Sequence, residues 1–168
     1  MGHIIVKADG RKCNCGNQGC LETYASATGI KRTVFKLMAD MNSTSPLREI
    51  PYADMTAKMI TDAALTGNEL AQQAFEYTGQ ILGLKLADTV ADLNPDAIIL
   101  SGGLTKAGDL LLKPTQEYME LHTFPILRGK TQLIISELTV ANTAVFGAAA
   151  LAWDHLEQLE QEGVAILN

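Results

Sequence analysis

The chain has 168 residues, 47% of them hydrophobic, with 13 basic against 19 acidic side chains and a formal net charge of −6. That length and apolar content suit a packed core and exclude a disordered chain. An acidic balance without a basic stripe argues against nucleic-acid binding by this segment, because phosphate contacts need clustered Lys and Arg.

The longest apolar runs, such as Ala144 to Ala152, fall far short of a membrane span, and no charged-then-apolar leader opens the chain. No membrane partner is therefore expected, and the location expected is cytoplasmic. The three cysteines, Cys13, Cys15 and Cys20, fall within eight residues. An odd, clustered set is a poor disulfide framework and a good metal or redox one.

Taken in chain order, Ile4-Ile5-Val6 is a strand-like apolar run, followed by a polar turn from Lys7 to Lys12 and then the cysteine loop. From Leu21 the residues are helix-forming as far as Phe35, Leu37 and Met38. Residues 42–55, with Pro46 and Pro51 and few apolar side chains, suit a surface connection. Met55 to Leu65 suits a short helix that stops at Thr66-Gly67-Asn68. The strongest periodicity follows: Leu70, Ala74, Tyr77, Ile81 and Leu84 form one apolar stripe, and Ala71, Phe75, Leu82, Leu86, Val90 and Leu93 lie beside it. Two neighbouring stripes predict a helix buried over much of its surface, ended by Pro95.

Ala97 to Leu100 and Leu133 to Ile135 are short continuous apolar runs that predict buried strands, the first of them parallel. Between them a helical region is expected around residues 108–122. A last helix runs from about Asn142 to near Gln161, where Gly147 and Ala148 to Ala150 suit close helix packing. The class is α/β, with no repeat, no low-complexity segment and no linker strong enough to divide the chain.

The chemistry-bearing pattern is His3-x₉-Cys13-x-Cys15-x₄-Cys20. Tetrahedral zinc takes three thiolates and one imidazole, and a closed set of four ligands makes the metal structural. Gly16 and Gly19 supply the positive φ angles that a loop aiming its sulfurs inward needs. Three free thiols are the alternative; a redox pair fits less well, since Cys-x-Cys lacks the two-residue spacer of the common dithiol motif. Glu22 suits a first-turn carboxylate favoured by the helix dipole. Ser101-Gly102-Gly103 is either a plain turn or a place where backbone N–H groups meet phosphate.

Gly2-His3, then Cys13-Asn14-Cys15-Gly16-Asn17-Gln18-Gly19-Cys20-Leu21-Glu22, then Thr23 to Ala27 and Asn94 to Leu104, resemble the ROK family of sugar kinases and sugar-responsive repressors, over nearly the whole chain. The resemblance implies the C-terminal portion of an actin-like, ribonuclease-H-like ATPase fold with a zinc-binding loop. Residues 1–168 would form a partial C-terminal lobe. In such kinases the phosphoryl group of ATP, carried with magnesium, passes to a hexose hydroxyl. The resemblance assigns zinc to His3, Cys13, Cys15 and Cys20, sugar hydroxyls to His3 and Glu22, and nucleotide to Ser101, Gly102 and Gly103.

The Asp-x-Gly-x-Thr phosphate motif of the N-terminal nucleotide-binding lobe, the aspartate general base and a further sugar-binding glutamate have no match in the chain. They are expected upstream of Met1, which implies no kinase activity for this polypeptide alone and an unpaired apolar edge at Ile4–Val6. Asp9, Asp54, Asp62 and Asp88 are present, and nothing in their settings nominates a base. Glucose is the expected hexose, with fructose, mannose and N-acetylated hexoses open, and a homo-oligomer is expected. The alternatives are a sugar-sensing regulator with a DNA-binding segment upstream and a zinc-stabilised module without catalysis.

Overall fold

The computed structural model describes residues 1–138 and 143–161. It divides into two units, residues 1–135 and 136–168, although the sequence shows no linker between them. The first unit is organised around one long helix. Thr56 caps α2 (Ala57–Leu65) by accepting from the N–H of Met59. Gly67, at φ 88°, turns the chain, and Asn68 caps α3 (Glu69–Leu93) through the N–H of Ala71. As the double stripe predicts, α3 buries Leu70, Ala71, Ala74, Phe75, Leu86, Ala87 and Val90. Leu84 and Leu93 of the predicted stripes stay exposed.

The segment after Cys20 is not one continuous helix. Leu21–Thr23 makes a single 3-10 turn, the chain breaks at residues 24–26, and α1 (Ala27–Asp40) starts where the Ser26 side chain accepts from the N–H of Gly29. Gly29 is required there because a Cβ would stand 2.6 Å from the backbone of Tyr24. The α1 C-terminus has no glycine cap. Instead Arg48 donates to the carbonyls of Met38 (2.8 Å) and Met41, supplying donors that the helix end lacks. The stretch 42–55 is also more than a surface connection. It contains a 3-10 turn, Pro46–Glu49, and Leu47 and Met55 are only 3% and 2% exposed in the core between α1, α2 and α3.

β1 (Ala97–Leu100) and β2 (Gln132–Ile135) pair in parallel, Ile98 opposite Leu133 and Ile99 opposite Ile134. α4 (Asp109–His122) lies between them in sequence and packs on α3, where Gly79 and Gly83 let Pro114, Thr115 and Met119 come close. The expectation of buried strands fails on one face. Ile98, Leu100 and Leu133 turn toward Leu86, Val90 and Met119, whereas Ile99 is 66% exposed and Ile134 41%. Within residues 1–135 one layer of helices covers the pair, so successive side chains alternate between core and the open face.

At the N-terminus, Ile4–Val6 does not form a regular strand. Ile5 makes one isolated antiparallel bridge to Cys20, and Ile4 and Ile5 are 39% and 53% exposed. The second unit contains α5 (Thr143–Gln161), on which Phe146, Ala149, Ala150 and Trp153 share a side. The expected start at Asn142 lies outside the described residues. Among the described residues of this unit a Cβ at Gly147 would meet nothing within 4 Å.

Candidate metal centre

Two short antiparallel bridges build the loop: Ile5 with Cys20, and Lys12 with Gln18. Between them Gly19 runs so close to the Lys7 carbonyl that no side chain could fit. At φ 78° it accepts from Val6 N–H (2.9 Å) and donates to Arg11 O (2.8 Å). At the tip, Cys13 N–H donates to Asn17 O (2.9 Å), with Gly16 at φ 94°. Both glycines therefore serve the turn as the sequence suggests.

These bridges gather the four predicted donors. One ligand atom from each of His3, Cys13, Cys15 and Cys20 lies within 4.8 Å of the others. His3 Nδ1 stands 3.6 Å from Cys13 Sγ, and Cys15 Sγ stands 3.6 Å from Cys20 Sγ. Sulfurs at the corners of a zinc tetrahedron with bonds of about 2.3 Å are roughly 3.8 Å apart, so the donor set already has the dimensions of a closed four-ligand site. No pair is close enough for a disulfide, and all three thiols are free.

The sulfurs differ in setting. Cys15 is exposed, Cys13 half-buried and Cys20 fully buried. Burial, reinforced by Cys15 and Cys13, pushes the Cys20 thiol up to about 12, while the Asn17 amide and the Cys13 side chain pull Cys15 below its usual value.

The loop also fixes Glu22. Its N–H donates to Gly2 O (2.8 Å), and the preceding Leu21 N–H donates to Ile4 O (2.9 Å). These bonds bring Glu22 Oε2 to 3.4 Å from His3 Nδ1. Glu22 then borders a cavity of about 100 Å³, lined also by Lys12, Cys13, Asn14, Ser26, Thr28 and Arg32. The site therefore joins the thiol–imidazole cluster to a carboxylate at a cavity edge.

Ser101, Gly102 and Gly103 are elsewhere. They form an exposed turn at the C-terminal end of β1, with Gly102 at φ 121° and open space around both glycines. A 3-10 turn, Gly103–Ala107, comes before α4. None of the four aspartates named from the sequence lines the cavity beside Glu22; Asp62 pairs with Lys58 and Asp88 with Lys85, and Asp9 and Asp54 are exposed. Sequence reasoning missed Arg11 and Tyr24, whose contacts with this loop are described below. Their bonds run to groups brought near by folding, and no local spacing signals them.

The chain belongs to the ROK family, whose family model matches residues 1–155. It is 35% identical over 140 residues to a glucokinase of Halalkalibacterium halodurans, covering 82% of this chain and 42% of that protein. It is 33% identical over 151 residues to the DNA-binding transcriptional dual regulator NagC of Escherichia coli, covering 90% of this chain and 36% of the regulator. The chain thus spans well under half the length of these relatives, and the family includes both kinases and regulators. Among solved structures, a ROK family glucokinase from Streptomyces griseus in complex with glucose and AMPPNP superposes with a TM-score of 0.72 at 30% identity, over 82% of this chain and 46% of that one. The mixed helix–strand fold is therefore one shared with ROK sugar kinases.

Proposed function

We propose that this chain is the sugar-binding portion of an ATP-dependent hexose kinase, with glucose as the first candidate substrate. The observation that carries the reading is the Glu22 carboxylate at the cavity edge, 3.4 Å from an imidazole nitrogen that also faces the cysteine cluster. A carboxylate accepts two hydroxyl protons at once, which suits a vicinal diol. With Nδ1 turned to the cluster, His3 keeps Nε2 for a third hydroxyl. The kinship with a glucokinase and the likeness to a glucose-bound ROK glucokinase support a hexose.

In this reading His3, Cys13, Cys15 and Cys20 hold zinc, which the spacing of their donor atoms fits. The metal supplies a rigid cross-link between the N-terminal segment and the turn that carries Glu22, and closed coordination leaves it no catalytic position. The exposed Ser101-Gly102-Gly103 turn, outside the carboxyl end of β1, offers main-chain amides to a nucleotide. In the transfer, the bond between the γ-phosphorus and the ADP oxygen breaks and a bond to the hexose oxygen forms. The hydroxyl proton passes to a carboxylate base, expected outside residues 1–168. ATP with magnesium is the expected phosphoryl donor.

A second reading, a sugar-sensing regulator, is favoured by the 33% identity to NagC over 90% of the chain. A coupled ADP-release assay on the intact protein with glucose, mannose, fructose and N-acetylglucosamine separates the two. Turnover of a hexose supports the kinase. Hexose binding by calorimetry without turnover of any of the four rejects the kinase in favour of the regulator.

A further inference from the structure

Arg11 is placed to bind the loop to the rest of the fold. Its Nη1 donates to Thr23 O (2.7 Å) and Gly29 O (2.9 Å), and its Nη2 donates to Thr33 Oγ1 (3.0 Å). The guanidinium also lies 4.5 Å above the centre of the Tyr24 ring, and Tyr24 Oη accepts from the Arg11 N–H (3.1 Å). Among the described residues Arg11 pairs with no carboxylate, and burial draws its pKa below the usual arginine value.

With no carboxylate partner the cation gains no charge–charge attraction, and its charge-assisted bonds and the ring contact fix its geometry. Lysine, a point charge without a planar fork, could not hold three acceptors on two elements in the same way. One of those acceptors lies beside Glu22. Glu22 is held on its N-terminal side by the bond from its N–H to Gly2 O. On its C-terminal side the next carbonyl, that of Thr23, is held by Arg11. The main chain of Arg11 is joined to Gly19, the residue before Cys20. One side chain thus spans the cysteine loop, the Glu22 turn and α1.

The geometry points to Arg11 as a positioning residue that fixes the Glu22 carboxylate relative to His3, so that sugar affinity at Glu22 depends on this clamp. The inference rests on reading Glu22 as a sugar ligand, and the test separates the two. In the intact protein, R11K and E22Q are made singly and together. Glucose affinity is read by calorimetry, and amide exchange is followed over residues 19–25 and over α3.

Each single variant is expected to weaken glucose binding about tenfold or more, and the double variant to bind within about twofold of E22Q alone, because Arg11 acts through Glu22. Exchange over residues 19–25 rises at least about tenfold in R11K while α3 keeps its protection. Independent losses that multiply in the double variant, or exchange that rises in α3 as much as in the loop, would overturn the inference. If the unsubstituted protein takes up no hexose, the reading of Glu22 falls, and the exchange pattern alone decides the clamp: local loosening sustains it, and uniform loosening or none rejects it. Should R11K not fold, Y24F removes only the hydroxyl that accepts from the Arg11 N–H and is expected to show the same local loosening.

Discussion

His3 presents Nδ1 to Cys13 at 3.6 Å, ten residues away in sequence, and the same atom lies 3.4 Å from Glu22. One ring nitrogen therefore faces both the thiol cluster and the carboxylate. The first residues of the chain are part of the site because Leu21 and Glu22 donate to Ile4 and Gly2 and hold His3 over the loop.

His3→Ala is expected to lower metal affinity by more than the roughly 10- to 100-fold typical of losing a mere outer-shell partner, since a ligand itself goes. Competition with a chromophoric chelator measures it. Affinity equal to the parent protein would remove His3 from the metal set.

The metal-free protein should lose stability in alkali through Cys20. Its thiol is raised from 9.0 to about 12 in the folded state, chiefly by burial. Between those values the unfolded chain releases the proton and the folded chain keeps it, so stability is fully present below pH 9 and falls as pH rises toward 12. Urea unfolding at pH 8.5 and 10.5 checks this against Cys20→Ser, which lacks the titration. An equal pH slope in both proteins would assign the loss to other groups.

How much of this was legible beforehand depended on how local each signal is. The gathering of His3, Cys13, Cys15 and Cys20 could be read beforehand because ligand chemistry and loop spacing are carried by residues close in the chain. α3 could be read because its apolar period continues over 25 residues. Ile4–Val6 does not form a regular strand, since three apolar residues predict extension but not a partner, and among the described residues its one bridge goes to Cys20. Pro114 is another case. It sits inside α4 against local propensity, tolerated where its ring meets Gly79 of α3. That compensation is tertiary. So is the placement of Arg11, whose side-chain acceptors lie 12 to 22 residues away.

The alternation in β1 gives a contrast between adjacent isoleucines. Ile98 packs against the Leu86–Val90–Met119 cluster, and Ile99 is 66% exposed. Ile98→Ala is expected to cost about 2 kcal/mol or more through the cavity it leaves. Ile99→Thr, which keeps β-branching, should stay within about 0.5 kcal/mol. Denaturant midpoints on the isolated chain decide. Comparable losses would mean that the outer face of the strand pair is covered in solution.

Two glycines in helices should respond to alanine with opposite signs. At Gly83 a Cβ would stand 2.8 Å from Met119 N and the same distance from Tyr118 Cβ. Backbone cannot give way as a flexible side chain can, so α3 and α4 would have to separate. Overpacking of that kind costs about 1–3 kcal/mol, against a gain of about 1 kcal/mol in helix propensity. Gly83→Ala should therefore be net destabilising. Gly147 in α5 has no positive φ and, among the described residues of its own unit, nothing within 4 Å of the added carbon. There the propensity term acts alone, and Gly147→Ala should stabilise α5 by up to about 1 kcal/mol. Thermal melts of the two variants beside the parent protein test the pair. A stabilised Gly83→Ala would mean that the α3–α4 contact is looser than its geometry states.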